Sequence, residues 1–503
     1  MNQFPRFLLV TLSVFLIVSS CSKKPDPVPV PKGEDPPVII PPAVVFNINS
    51  IHDTYSDVMD FSFVNKWGPY NVHDPSIKKF GDYYYCYSTD VAYGNTSPKW
   101  GLQIRKSKDL VEWSFVGWVF NSQLPSIGAQ AIISSGGIPN NSLWAPYVLK
   151  VGAEYRLYYS IASNVSRLSV IGLATAINPE GPWTDKGSIV VSKNNSVAQT
   201  NAIDPTVVTS PSGDQYLYYG SGFDGIYVLQ LNAATGRAAT TGNIGKRIAN
   251  RGYAHDKYYN GNIEGPEVIY NPSLNKYFLF IAYDWLETKY NTRVCRADSP
   301  MGPFYDYNEV DANSDVDHGP MIVAPYKFFG HGGWQGVSHC TVFDDGNGQY
   351  FIANQGRPTV DKYFMDLQVR KLFWTPDGWP VASPERYAWE KSDLVSQTSI
   401  PGIWERIVLN YRVVPGYQTE QFSPDLQVSE KLTIDAAGTL NGDASNKWSY
   451  TAPWLQLSWS NGTIENLFVQ KGRDWENKID SCLIFTGLNN KGVAVWGKSN
   501  SEL

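Results

Sequence analysis

A phrase that recurs five times along this chain constrains its fold more than any other feature. Each copy leads with a polar or aromatic residue, continues through a short apolar run and a turn, and ends in an aromatic strand that begins with tyrosine. The leading residues are Asp74, Trp144, Asp204, Glu264 and His339. The tyrosines that begin the aromatic strands are Tyr83, Tyr155, Tyr216, Tyr277 and Tyr350, at spacings of 72, 61, 61 and 73 residues. A repeat of this length that carries several strands predicts the blades of a β-propeller.

The five leading residues are predicted to meet in space. In a propeller the first strand of each blade lines the central channel, so residues at the starts of these strands converge on the axis. Asp74 and Asp204 directly precede proline, and Glu264 precedes Gly-Pro. Because proline lacks an N–H, these positions are typical of strand beginnings. We therefore expect one site that combines three carboxylates, a histidine and a tryptophan.

The composition favours an all-β protein and excludes one class of partner. Aromatic residues make up 14% of the 503 residues and charged residues 17%, which suits strands with broad aromatic surfaces. The net charge of −6 leaves no basic footprint for nucleic acid. We predict a five-bladed propeller over residues 47–394, followed by a small C-terminal β-barrel or sandwich over residues 395–503. The strands of this last part do not carry the repeated phrase.

The first 46 residues have the pattern of an export and anchoring segment. Residues 1–20 contain Arg6 and then an apolar run that is too short to cross a bilayer of about 30 Å and has the length of a signal sequence. The run ends in Val-Ser-Ser-Cys21, which resembles a bacterial lipobox and predicts lipidation at Cys21; the alternative is an ordinary cleaved signal with a free thiol. Residues 21–46 are rich in proline and predict an extended tether. We therefore expect an exported bacterial lipoprotein that is anchored to a membrane.

The remaining cysteines lack the spacing of a metal site or a redox motif. They are Cys86, Cys295, Cys340 and Cys482. No pair forms a CxxC motif, and each cysteine lies within an apolar strand pattern, which predicts buried free thiols. One disulfide among them is the alternative.

Three carboxylates around one funnel suit the hydrolysis of glycosidic bonds. One carboxyl group must protonate the leaving oxygen and needs a raised pKa, while a second must stay ionised to activate water or to attack. A third can tune the acid, since a nearby like charge raises the pKa of a carboxyl group. The abundant tyrosines and tryptophans offer flat faces for sugar rings.

An ordered set of motifs resembles glycoside hydrolase family 43, and within it the endo-α-1,5-L-arabinanases. The matching segments are VHDPSI (72–77), LWAP (143–146), AIDPTV (202–207), YGSGFDGIYVL (219–229), IEGPEV (263–268), SHCTVF (338–343) and LFWTPDGWPVASPERY (372–387). The resemblance covers the propeller and, more weakly, the C-terminal domain. It implies a five-bladed propeller with an appended β-barrel.

The resemblance also implies a division of labour among the carboxylates. Asp74 matches the general base, Glu264 matches the general acid, and Asp204 matches the residue that tunes the pKa of the acid and orients it. The family inverts the anomeric centre, so the base and the acid should be separated by about 6.5–9.5 Å. His339 matches the histidine that faces a calcium ion in the channel through water. Calcium takes 6–8 oxygen ligands, so water must complete such a site.

Trp144 and Ser221 match residues that line the substrate cleft. The chain departs from the family pattern at Tyr147, where many relatives have an acidic residue, and this change is expected to alter the rim of the cleft. A second departure is Gly222-Phe223, where the motif usually continues directly with an aromatic residue. Glu267 is a rival for the role of general acid, but alternation along the strand places it on the opposite face from Glu264.

Three functions remain open from the sequence. The first is cleavage of internal α-1,5 bonds in arabinan, the second is exo-acting α-L-arabinofuranosidase or β-xylosidase activity on the same scaffold, and the third is non-catalytic glycan binding. The shape of the blade loops separates the first two functions, and an intact carboxylate set argues against the third. We expect a monomer that contacts a polysaccharide and, through its lipid, a membrane.

Overall fold

The structure is a computed structural model that describes residues 47–93, 101–193, 200–251, 253–254, 257–258, 263–410 and 425–500. The predicted signal segment 1–20, Cys21 and the tether 21–46 lie outside the described residues, so these assignments stay predictions. Among the helices that the structure describes, none is long and apolar enough to cross a membrane.

Four separate antiparallel sheets carry the first four copies of the repeat. The first contains β1 Ser76–Phe80, β2 Tyr83–Ser88, β3 Gln103–Ser107 and β4 Ser114–Trp118. The second contains β5 Pro139–Val151, β6 Glu154–Ser163, β7 Val170–Ala176 and β8 Thr184–Val191. The third contains β9 Thr206–Thr209, β10 Gln215–Tyr219, β11 Ile226–Asn232, β12 Arg237–Ala238 and β13 Lys246–Ala249. The fourth contains β16 Ile263–Asn271, β17 Lys276–Tyr283, β18 Asn291–Ala297 and β19 Met321–Val323, and β14 Tyr253–Ala254 pairs with β15 Lys257–Tyr258 between these two sheets in the sequence.

The fifth copy lies within a larger, seven-stranded sheet. Its strands are β22 Thr341–Asp344, β23 Tyr350–Pro358, β24 Asp366–Trp374 and β25 Pro380–Ala382, which pair in that order. The sheet also contains β20 Tyr326–Lys327, β21 Trp334–Gln335 and β27 Gln427–Val428. One α-helix, α1 Ser126–Ser134, and four 3-10 helices at Ile48–Ser50, Phe61–Lys66, Gly222–Asp224 and Gln397–Ser399 complete the described elements of this part and of its junction with the barrel. The predicted all-β, propeller-like arrangement is confirmed.

Buried clusters join consecutive sheets face to face. Tyr87 of β2 packs in one cluster with Leu157 of β6, and Ile77 of β1 shares another with Phe343 of β22 and Val369 of β24. Because the blades pack through apolar and aromatic side chains, the first strands are free to turn their polar residues toward the centre.

The C-terminal part forms a closed barrel of eight strands. They are β26 Gly402–Leu409, β28 Glu430–Ile434, β29 Thr439–Leu440, β30 Asp443–Thr451, β31 Trp454–Ser458, β32 Ile464–Asp474, β33 Ile479–Asn489 and β34 Ala494–Ser499. Inward residues such as Trp404, Leu455 and Phe485 fill its interior. The predicted barrel is confirmed, and the alternative of a sandwich is wrong. The boundary predicted between residues 394 and 395 stays a prediction.

The barrel shares a hydrophobic core with the last sheets of the propeller-like part. Trp379 and Val381 pack in one buried cluster with Ile407 and Trp496 of the barrel. The rings of Phe373 and Phe468 stack with their centroids 4.4 Å apart. Strand β27 also adds to the propeller sheet, in parallel with β20. The barrel therefore braces its neighbour through a continuous interior.

The described cysteines are free thiols, as predicted. Cys86, Cys295 and Cys340 are buried, and Cys482 is partly buried. Burial raises the pKa of the Cys86 thiol to about 12, so this thiol stays protonated at neutral pH. The alternative of a disulfide among these four residues is wrong.

Candidate active site

A residue with a left-handed backbone defines one equivalent position in each repeat, two residues before β1, β9 and β22 and inside β5 and β16. The five residues and their φ angles are Asp74 (51°), Ala145 (40°), Asp204 (58°), Gly265 (56°) and His339 (53°). Such a conformation costs a non-glycine residue about 1–2 kcal/mol, and strain of this kind clusters at functional sites. At Gly265 a side chain is also excluded by space, because a Cβ atom would lie 2.9 Å from His339 Nδ1.

This position corrects the predicted alignment of the repeat. Asp74, Asp204 and His339 occupy it, but Trp144 and Glu264 each lie one residue before it. The prediction that all five leading residues are equivalent is therefore wrong for these two. The proline that follows Asp74, Ala145, Asp204 and Gly265 is the sequence signal that identifies the shared position.

A closed belt of hydrogen bonds links the five first strands two residues further along. Its members are Ser76, Tyr147, Thr206, Glu267 and Thr341. The bonds run from Val148 N–H to Ser76 Oγ (3.3 Å), from Tyr147 Oη to the Val207 carbonyl (2.7 Å), from Thr206 Oγ1 to Glu267 Oε2 (2.9 Å), from Val342 N–H to Glu267 Oε1 (3.1 Å) and from Ile77 N–H to Thr341 Oγ1 (3.3 Å). The belt fixes the blades relative to each other and thereby fixes the residues that precede it.

The belt explains two residues that the sequence left open. Tyr147 is buried and donates to a backbone carbonyl of the next sheet, so the prediction that it shapes the rim of the cleft is wrong. Glu267 is 3% exposed, both of its oxygens accept hydrogen bonds, and the Lys78 ammonium lies 3.6 Å away. Both oxygens of Glu267 are thus buried and engaged between neighbouring first strands, which argues against Glu267 as the acid.

Asp74 lies at the centre of a dense set of polar contacts. Its Oδ2 accepts a hydrogen bond from Thr89 Oγ1 at 2.6 Å, while His73 Nδ1 and His339 Nδ1 lie 2.8 and 2.9 Å from its Oδ1. Its own N–H donates to Gln355 Oε1. Although burial alone would raise the pKa of Asp74, the two histidines hold it well below its ordinary value. Asp74 is therefore ionised at neutral pH, as a general base must be.

Asp204 is buried and anchors the backbone beside Glu264. Its N–H donates to Ser160 Oγ at 3.1 Å, and its Oδ2 accepts from Gly265 N–H at 3.1 Å. Burial raises the pKa of Asp204 to about 8 against the opposing effect of His339, and the nearby Glu264 adds to the rise. Asp204 thus holds the backbone N–H of the residue that follows Glu264.

Glu264 has the environment of a group that holds a proton. Burial raises the pKa of Glu264 above its ordinary value, although the Tyr290 hydroxyl acts in the opposite direction. That hydroxyl donates to Glu264 Oε1 at 2.7 Å. Because the environments push the pKa of Asp74 down and that of Glu264 up, the two carboxyl groups are suited to opposite roles.

His339 lies between the carboxylates. Although burial would lower the pKa of His339, the charges of Asp74, Asp204 and Glu264 raise it to about 10. With Nδ1 directed at Asp74, only Nε2 is left to meet a metal ion. This donor set fits a calcium ion that takes most of its oxygen ligands from water. A positive ion near His339 would oppose the neighbouring carboxylates and disfavour a proton on the imidazole.

A second group of carboxylates resembles a metal site, but a lysine ammonium group lies at its centre. Among the described residues, Glu385, Asp474 and Glu476 form the only group of three potential ligands close enough to share an ion. The Lys498 ammonium lies 2.9, 2.6 and 3.0 Å from their oxygens. The lysine therefore takes the place of a cation there, at the junction of the barrel with its neighbour.

The structure holds Trp144 and Ser221 near the site in different ways. Trp144 is half-buried, and its Nε1 donates to Ser142 Oγ at 2.8 Å. Ser221 is buried, and both its N–H and its carbonyl are bound to Thr200 Oγ1. Phe223 follows with a φ of 55° and is 47% exposed, and the Arg167 guanidinium lies 5.8 Å from the centroid of its ring. The contact of Trp144 and Ser221 with substrate stays a prediction.

Sequence reasoning missed the residues that hold the carboxylates in place. Thr89 bridges the first two sheets, because its Oγ1 donates to Asp74 and accepts from Ala145 N–H at 2.8 Å. Tyr290 holds Glu264. Both residues lie outside the repeated phrase, so no pattern in the sequence marks them.

Two family models match the chain over most of its described length. The model "Glycosyl hydrolases family 43" matches residues 65–380, and the model "C-terminal lipocalin-like domain" matches residues 384–497. The first match covers the propeller-like part together with Asp74, Asp204, Glu264 and His339. The second covers most of the barrel.

Similar proteins include enzymes named for both modes of arabinan cleavage. An extracellular endo-α-(1→5)-L-arabinanase of Thermotoga petrophila is 27% identical over 471 residues, which cover 85% of this chain and 93% of that protein. An extracellular exo-α-(1→5)-L-arabinofuranosidase of Cellvibrio japonicus is 27% identical over 325 residues, which cover 62% of this chain and 86% of that protein. The crystal structure of an endo-1,5-α-L-arabinanase from Thermotoga petrophila superimposes with a TM-score of 0.73 at 26% identity, covering 86% of this chain and 98% of the other.

Proposed function

Because this chain belongs to glycosyl hydrolases family 43 and is therefore a glycoside hydrolase, we propose that it cleaves internal α-1,5-L-arabinofuranosidic bonds of arabinan with inversion. The observation that carries this proposal is the contrast between Asp74, whose pKa is lowered, and Glu264, whose pKa is raised. An inverting hydrolase needs one carboxylate base and one carboxylic acid.

The proposed reaction uses three carboxyl groups and one water molecule. Ionised Asp74 takes a proton from water, whose oxygen attacks the anomeric carbon, while Glu264 gives its proton to the departing glycosidic oxygen, which keeps the electron pair of the broken bond. Asp204 holds the backbone at Gly265 and helps to keep the proton near Glu264. Activity should fall as pH rises through the range in which the Glu264–Asp204 pair loses its proton.

The match over both parts of the chain supports endo action. The relatives that match 85% of this chain, including the barrel, are named endo-acting, whereas relatives named for either mode match 62% of it. The propeller itself is inferred to have five blades, since buried clusters join consecutive sheets and one of them connects the first sheet with the fifth repeat. Exo-acting arabinofuranosidase activity is the second candidate, because a relative of that name matches the propeller-like part.

The products of linear arabinan distinguish the two candidates. A time course on debranched arabinan, with oligosaccharides separated by chromatography, should show a ladder of intermediate sizes before arabinose accumulates. Early NMR spectra should show that the new reducing ends have the opposite anomeric configuration. Arabinose as the sole product from the first time point would contradict endo action, and retained configuration would contradict inversion.

Calcium at His339 is part of the proposal. Calcium bound there through water would add positive charge beside Asp74 and would disfavour a proton on His339. We expect that EDTA followed by removal of the chelator lowers both the hydrolysis rate and the melting temperature, and that added calcium restores both. Magnesium is the control, because it prefers a smaller, octahedral site. Unchanged activity and melting temperature after chelation would remove calcium from the proposal.

Export and membrane attachment are proposed from the first 46 residues. The relatives that are named extracellular support export. In a bacterial host, Cys21→Ser is expected to move the protein from the membrane fraction to the soluble exported fraction and to abolish its labelling by a radioactive fatty acid. Cys482→Ser, which leaves the lipobox intact, is the control. A Cys21→Ser protein that stays in the membrane fraction would exclude anchoring through this residue.

A further inference from the structure

We infer that Tyr290 is a positioning residue that decides which oxygen of Glu264 carries the proton, an inference that rests on the proposed function. Tyr290 is 1% exposed, and its hydroxyl donates to Glu264 Oε1 at 2.7 Å. Among the residues that the structure describes, this hydroxyl has no other hydrogen-bond acceptor. Its proton is therefore directed at Oε1.

The direction of this hydrogen bond has a chemical consequence. A carboxylic acid carries its proton on one oxygen, and an oxygen that accepts a strong hydrogen bond from a phenol is the one without the proton. Since Oε1 is the acceptor for Tyr290, the acidic proton is carried by Oε2. Within the described part of the chain, Oε2 makes no hydrogen bond, so its proton can be given to the glycosidic oxygen.

A clasp in the preceding turn holds Tyr290 in place. Asn291 Nδ2 donates to Asp284 Oδ2 at 2.9 Å, to the Tyr283 carbonyl at 3.2 Å and to the Lys289 carbonyl at 3.0 Å. Asn291 also begins β18, whose register with β17 continues from Asn291 opposite Tyr283. The hydroxyl of Tyr290 is thus fixed by the backbone on both sides, as required of a group that orients an acid.

The inference predicts an effect that depends on the leaving group. Tyr290→Phe removes only the hydroxyl, so protonation of the leaving oxygen should become less efficient. We expect kcat on arabino-oligosaccharides to fall about tenfold or more, with KM unchanged. A dinitrophenyl arabino-oligosaccharide releases dinitrophenolate, an anion that can leave without a proton. The kcat of Tyr290→Phe on this substrate should therefore equal that of the wild-type enzyme.

Tyr283→Phe is the matched control for the same chemical change. Tyr283 is also buried and ends β17 opposite Asn291, the residue after Tyr290, but its hydroxyl has no hydrogen-bond partner among the described residues. This variant should cleave both substrates at the wild-type rate. Both variants should keep the wild-type circular dichroism spectrum.

The outcomes separate this inference from the proposed function. An equal loss of activity on both substrates in Tyr290→Phe would show a structural role, and no loss on either would show no role; each result overturns the inference. A wild-type enzyme that cleaves no arabino-oligosaccharide overturns the proposed function and the inference together, and this result is seen before any variant is measured.

Discussion

Glu264→Gln is expected to lower kcat on arabinan by about 10²–10⁴-fold, the usual contribution of a general acid. The amide has the same shape as the carboxyl group and can still accept the hydrogen bond from Tyr290, but it has no proton to give to the leaving oxygen. Since substrate contacts are otherwise kept, KM should change little. Steady-state kinetics on debranched arabinan, together with a melting curve, provide the measurement.

Glu267→Gln is the matched control, because it makes the same change three residues away. The hydrogen bonds that Glu267 accepts hold the belt and not the leaving group, so the cost should appear in stability. We expect a loss of about 1–3 kcal/mol in the free energy of unfolding, with kcat retained by the folded protein. A folded Glu264→Gln enzyme with wild-type kcat would falsify its role as the acid.

Lys498→Met is expected to destabilise the protein by about 3–5 kcal/mol, the usual cost of removing one partner from a buried ionic cluster. The lysine is fully buried, and its ammonium contacts Glu385, Asp474 and Glu476 at 2.6–3.0 Å. Burial and the neighbouring carboxyl groups raise the pKa of Glu385 well above its ordinary value, although Lys498 acts in the opposite direction. Even so, the methionine variant leaves buried negative charge without a counter-charge.

The cluster connects the barrel with the propeller-like part. We therefore expect Lys498→Met to lower the stability of both parts in one cooperative transition. Tyr326 and Trp334 donate to Glu476 from the propeller side, both at 3.2 Å. Denaturation by urea, followed by both fluorescence and circular dichroism, measures the effect. Lys491→Met is the control, since Lys491 is an exposed residue of the turn before β34, and its free energy of unfolding should change by less than about 0.5 kcal/mol. Equal free energies of unfolding for the two variants would contradict the claim that Lys498 stabilises the fold.

The strands and most of the candidate site could be predicted because the information is local. A run of aromatic residues between turn residues marks strands such as Tyr83–Ser88, and proline directly precedes β1 and β9. The sequence alignment of the repeats chose Trp144 and Glu264 instead of the equivalent residues Ala145 and Gly265. Trp144 and Glu264 have the side chains typical of a binding or catalytic site and lie one residue away. Backbone conformation decides that equivalence, and a left-handed φ at a non-glycine residue leaves little trace in the sequence.

The contacts that define the site could not be predicted because they join distant segments. The bond from Thr206 to Glu267 spans 61 residues, and the contact of Lys498 with Glu385 spans 113. Neither partner has a sequence pattern that names the other. Tyr147 shows the same difficulty, since a residue interpreted as part of the cleft rim proved to be a member of the belt.

The amino-acid sequence by itself determined the repeat, the all-β class and the identity of the carboxylates, since these follow from residue type, periodicity and turn chemistry along the chain. Only the tertiary structure decided how the carboxylates differ. The pKa of Asp74 is lowered because two histidines reach it, and the pKa of Glu264 is raised because the fold buries it. Burial and neighbouring charge arise only when the sheets come together around the belt, and they give three similar acids the different pKa values on which the proposed roles depend.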